Sequence, residues 1–141
     1  EFEKLQFTFD DLQARVARYP HDQKLRYEWG VMLFENEYVN EAIEQFQIAQ
    51  KSPKYKVSSF YYLGLSFKRK GQLDLAREQL EKALVDLSTM DETKKAICYE
   101  LGEILESAAD QGKALEYFKQ VYQSDINYRD VAQKVEHAYK K

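Results

Sequence analysis

Few residues in this chain are of types that do chemistry, and their spacing works against it. His21 and His137 are the two histidines, and neither stands with a cysteine or an acidic residue at ligand spacing, so no metal site is expected. Cys98 is the one cysteine, which excludes an intrachain disulfide. It falls on an apolar stripe and is expected to be a buried small hydrophobe rather than a nucleophile. Glu103 with Glu106, and Asp91 with Glu92, are carboxylate pairs in sequence. General acid–base work needs a pocket that drives the two pKa values apart, and one face of a helix supplies none. They read as solvated or ligand-facing charge. The chain has no glycine-rich phosphate loop, nucleophile elbow or kinase motif. No catalytic residue, cofactor or metal is expected.

Bulk properties narrow the remaining classes. A length of 141 residues suits one domain with a real core. The net charge of −3 removes the basic face on which nucleic-acid binding depends. Five glycines and two prolines are too few for the turns of a strand-rich fold, so long helices joined by brief turns are expected. Eleven tyrosines and eight phenylalanines form an aromatic surplus that must be packed inside or offered to a partner. No apolar run approaches the roughly 18 residues of a membrane span. The basic residues Lys51, Lys54, Lys56 and Lys68-Arg69-Lys70 read as loop solubility, or as a patch for an acidic stretch of a partner. The lone cysteine points to the cytoplasm, with the periplasm left open.

The elements that carry these residues repeat. Tyr27-Glu28-Trp29-Gly30 aligns with Tyr61-Tyr62-Leu63-Gly64 and with Tyr99-Glu100-Leu101-Gly102, the glycines lying 34 and then 38 residues apart. A second block follows each at the same offsets: Ala42-x3-Phe46-x2-Ala49, Ala76-x3-Leu80-x2-Ala83 and Ala114-x3-Phe118-x2-Val121. Trp29 or Leu before the glycine, with Leu33, Phe67 or Leu105 three residues after it, makes an apolar stripe at helical spacing. The glycine lets a neighbouring helix approach, against a propensity cost of about 1 kcal/mol. Turns are expected at Glu35-Asn36-Glu37, Lys70-Gly71-Gln72 and Ala109-Asp110-Gln111-Gly112, so each repeat is a helix–turn–helix hairpin.

This pattern resembles the tetratricopeptide repeat, over about Asp22 to Asp125. The middle repeat matches well from Phe60 to Ala83. Departures are Trp29 in the Leu place, Cys98 in the large apolar place, Val121 for an alanine, and a closing proline only at Pro53. The resemblance implies an all-α, right-handed α-solenoid of antiparallel helix hairpins. The expected layout is a single domain over 1–141. A preceding helix spans 9–19, repeats span 22–54, 56–88 and 92–125, and a capping helix spans 128–141 with Val131, Val135 and Ala138 inward. Four extra residues around Ser88 to Asp91 should lengthen the preceding helix or its loop. The helix at 9–19 looks like the second half of an earlier hairpin, as in a piece of a longer protein.

Stacking leaves a second stripe on each first helix, roughly 130° from the first at ~100° per residue. In the family this stripe lines the concave groove that holds peptides. Here it reads Lys24, Tyr27, Val31, Phe34, then Ser58, Tyr61, Leu65, Lys68, then Ala96, Tyr99, Glu103, Glu106. Tyrosine recurs at one place in all three repeats. It offers rigid area and an orienting hydroxyl. The alternative is that Tyr27, Tyr61 and Tyr99 pack against the facing second helices. The family's carboxylate clamp of two Lys, two Asn and one Arg falls on Tyr27, Val31, Tyr62, Ala96 and Glu100, none of which matches. A protein or peptide partner is therefore expected at Tyr27, Val31, Phe34, Tyr61, Leu65, Lys68, Arg69, Tyr99 and Glu103. The rival reading is self-association through the edges or ends of the solenoid.

Overall fold

The computed structural model describes residues 8–140. Among them are helices α1 (Phe9–Arg18), α2 (Gln23–Glu35), α3 (Val39–Ala49), α4 (Lys56–Arg69), α5 (Leu73–Leu84), α6 (Glu92–Ser107), α7 (Gln111–Ser124) and α8 (Val131–Tyr139), and no strand. Local chemistry sets several starts. Thr8 and Asp11 form a reciprocal capping box at α1, and Asp22, Asp91 and Asp110 each accept a backbone N–H of the helix that follows.

The chain forms two compact units, Glu1–Gln79 and Leu80–Lys141, the boundary falling within α5. In the first unit α2 packs against α1 and α3, and α3 against α4. Leu12, Val16, Trp29, Leu33, Phe34, Ala42, Phe46 and Leu63 are buried there, with Phe9 edge-on to Trp29 at 4.6 Å. In the second unit α7 packs against α6 and α8. Its buried set is Cys98, Tyr99, Leu105, Ala114, Phe118, Val121, Val131 and Val135.

Both blocks of the repeat are used as their residue types require. Phe46 lies against Gly30 and Phe118 against Gly102, each ring filling the space a side chain on the glycine would occupy. In α5, Ala76, Leu80 and Ala83 are fully buried on one stripe. On α4 the buried stripe carries two serines, Ser59 and Ser66, whose hydroxyls have no hydrogen-bond partner among the described residues.

Three turns share one backbone device. Glu37, Gly71 and Ala109 each stand seven residues after the repeat glycine, with φ of 70°, 77° and 63°. The next residue then donates to a carbonyl five residues back: Tyr38 to Leu33 at 2.8 Å, Gln72 to Phe67 at 2.9 Å and Asp110 to Leu105 at 2.9 Å. This is a Schellman closure, which favours glycine at the left-handed residue. Only the middle repeat has one.

Two boundaries differ from the sequence expectation. Gln111 and Gly112 belong to the first turn of α7 rather than to the preceding turn, because Asp110 already caps the helix. The last helix starts at Val131, after a turn in which Arg129 takes φ 45°. The four extra residues fall in the α5–α6 loop, since α5 ends at Leu84 and Asp91 caps α6.

Candidate binding surfaces

The first unit offers an aromatic and aliphatic face. Tyr27 is half-buried, its ring stacked on Tyr55 at 5.1 Å and edge-on to Phe46 at 5.9 Å and to Tyr62 at 6.1 Å. Burial pushes its phenol pKa up, against a lowering hydrogen bond with Ser58. Tyr62 lies flat on Phe46, centroids 5.0 Å apart and planes 7° apart, and burial pushes its phenol up to about 12. Tyr61 meets Tyr62 edge-on at 5.6 Å and keeps part of its surface in solvent. Val31 and Leu65 are half-buried beside the core, as is Lys68.

Two residues at the end of this face are committed internally. Phe34 is 7% exposed. The Arg69 guanidinium sits 4.0 Å over its ring and donates from Nη1 to the Phe34 carbonyl at 3.1 Å. Arg69 thereby closes the end of α2. Phe34 has almost no area left for a partner.

The second unit treats its tyrosine differently. Tyr99 is 6% exposed, edge-on to Phe118 at 5.5 Å, and its hydroxyl donates to the Asp130 carboxylate. Burial and then Asp130 hold its phenol well above the usual range. The Arg129 guanidinium covers the rings of Tyr99 at 4.8 Å and Tyr128 at 5.1 Å, and donates to Glu100 Oε2 at 3.2 Å. Glu103 is half-buried and raises the Tyr99 phenol further. Lys95 bridges Glu92 at 2.9 Å and Asp125 at 3.1 Å, which lowers the Asp125 carboxyl. Lys134 pairs with Glu106 at 2.7 Å.

The three repeat tyrosines therefore do not share one environment. Tyr27 and Tyr99 both pack on the phenylalanine of the facing second helix, Phe46 and Phe118, but Tyr99 is buried whereas Tyr27 and Tyr61 keep part of their surface in solvent. Sequence reasoning missed Tyr62, whose pairing with Phe46 had a signal in the aromatic next to Tyr61. It also missed Arg129, which had none, because its reach depends on a left-handed backbone. Cys98 is fully buried, and burial pushes its thiol up to about 11. Among the described residues no group of three or more His, Cys, Asp and Glu is placed to hold a metal ion. No helix among them is long and apolar enough to cross a membrane.

No family model and no curated protein matches the sequence. Solved structures do resemble it. The crystal structure of MamA superposes with a TM-score of 0.79 at 17% identity, covering 93% of this chain and 74% of that one. YrrB, a tetratricopeptide-repeat protein described as having an unusual peptide-binding site, gives 0.75 at 16% identity over 91% of this chain and 64% of that one. The first such domain of Spaghetti (RPAP3), bound to the HSP90 peptide SRMEEVD, gives 0.70 at 12% identity over 82% and 88%.

Proposed function

We propose that this chain, which has the tetratricopeptide-repeat fold, is a protein-interaction scaffold that holds an extended or helical segment of a partner against the α2 and α4 face of its first unit. The carrying observation is the half-buried set Tyr27, Val31, Tyr61 and Leu65, more apolar than a solvated face needs, with Lys68 at its end. Tyr61 supplies aromatic area with a hydroxyl, the chemistry of a binding hot spot. The peptide-bound RPAP3 domain and the peptide-binding site of YrrB belong to those proteins and support the class of activity here. A C-terminal carboxylate is not the expected ligand, because the clamp places hold Tyr27, Val31, Tyr62, Ala96 and Glu100. An apolar segment with mixed charge fits better.

The test is co-purification from a host lysate with the wild type and a Tyr61→Ala/Leu65→Ala variant of equal helical content. A protein retained by the first and lost by the second supports the reading. Equal recovery overturns it. Recovery of the chain alone, with a mass that rises with concentration, would replace it with self-association.

A further inference from the structure

The second unit contains a cleft that the first unit fills with its own side chains. A constant offset of 72 residues relates the two: Phe118 stands for Phe46, Ala114 for Ala42, Leu115 for Ile43 and Ala138 for Ser66. At the same offset Lys134 stands for Tyr62 and Glu106 for Phe34. In the first unit the Tyr62 ring lies flat on Phe46 and Phe34 meets it edge-on at 5.5 Å, so two rings close the space. In the second unit two narrow chains take their places. Lys134 Nζ lies 5.5 Å from the centroid of Phe118 and 2.7 Å from Glu106. A cleft of about 540 Å³ remains, walled by Ala114, Leu115 and Ala138 with Glu106, Lys134 and His137 around it. That volume is in the range of sites that enclose small ligands.

Its chemistry selects an occupant. The apolar part of the wall is made of methyl and isobutyl groups and the Phe118 ring, which suit a flat apolar ring, and Gln111 and Gln133 add amides at its side. The Lys134 ammonium stands where it can lie over such a ring, and Glu106 and His137 can take a phenolic hydroxyl. Glu106 and Asp130 outnumber Lys134, so the lining is negative in balance and disfavours phosphate or carboxylate. We infer that this cleft receives a neutral aromatic side chain, tyrosine or phenylalanine, carried by a segment of another protein. The site lies wholly in the second unit and does not depend on the first unit's face being the main groove.

The test is an amide NMR titration of the full chain with N-acetyl-tyrosinamide, with its phosphorylated form and N-acetyl-alaninamide alongside. Saturable shifts at Ala114, Leu115 and Ala138, with the phosphorylated probe at least about tenfold weaker, are expected. A Lys134→Tyr/Glu106→Phe variant installs the ring pair of the first unit and should lose the probe while keeping the fold. Should it fail to fold, Ala138→Leu narrows the same cleft from an exposed position and should have the same effect. No saturation, an equal response to the alanine probe, or undiminished binding by a folded cleft-filled variant would overturn the inference. So would a wild-type mass that doubles with concentration and a variant mass that does not, which would make a second copy the occupant.

Discussion

A Cβ built on Gly102 would lie 2.6 Å from both Cε1 and Cζ of Phe118, so the α7 ring takes the volume that a side chain on α6 would need. Phe118 is 1% exposed, and its ring must shift by several tenths of an ångström, toward the cleft it lines, to admit a methyl group on Gly102. Gly102→Ala is expected to cost about 1–3 kcal/mol through overpacking, outweighing the ~1 kcal/mol helix-propensity gain. Gly30→Ala should cost less, since the nearest Phe46 atom is 2.9 Å away. Gly112→Ala meets no atom within 4 Å inside a helix and should stabilise by up to ~1 kcal/mol. Urea unfolding of the three variants checks the order.

Ser59 and Ser66 bury hydroxyls that no group among the described residues satisfies. Desolvating a hydroxyl without a partner is unfavourable, so removing it should help. Each serine-to-alanine change is expected to be neutral or to stabilise by about 1 kcal/mol, read as a rise in thermal midpoint. A clear fall in either would mean that the hydroxyl has a partner.

Trp29 and Tyr61 separate core from face. Trp29 is 7% exposed and packs with Phe9, so Trp29→Ala should cost about 3–5 kcal/mol. Tyr61 keeps part of its surface in solvent, and Tyr61→Ala should cost less than ~1 kcal/mol while weakening partner capture. Equal destabilisation by both would refute the assignment of Tyr61 to the face.

Alkaline pH should unfold the chain through its tyrosines. Burial raises the phenols of Tyr27, Tyr62 and Tyr99, Tyr62 to about 12 from an ordinary 10.0. A raised phenol keeps its proton longer when folded, so its contribution is complete below pH ~10 and is lost as pH rises through the folded value. Asp125 has the opposite sign: its carboxyl is lowered by Lys95, and that contribution fades as pH falls below the ordinary carboxylate range. Absorbance of the phenolates at 295 nm and helical dichroism, followed together, should show a subset of tyrosines ionising only as helix is lost.

The fold was legible because its spacing signals are pairwise and local. Gly30 with Phe46 and Gly102 with Phe118 are contacts that the Gly and Ala-x3-Phe blocks announce. The binding face was only partly legible. Helical periodicity places Tyr27, Tyr61 and Tyr99 at equivalent angles, but it cannot see that Asp130 accepts the Tyr99 hydroxyl or that Arg129 covers its ring. Those groups come from a turn some thirty residues on. Its reach is set by one left-handed residue with no glycine to announce it.

The three hairpin turns also predict where the chain breathes. Glu37 and Ala109 hold a left-handed backbone that costs an L-residue roughly 1–2 kcal/mol, whereas Gly71 holds it without that penalty. Fraying the α2–α3 or α6–α7 turn releases this stored energy, and fraying the α4–α5 turn releases none. Amide protons of Tyr38 and Asp110 should therefore exchange with solvent deuterium sooner than that of Gln72. The middle hairpin then acts as the slow clasp, and motion begins at the outer two.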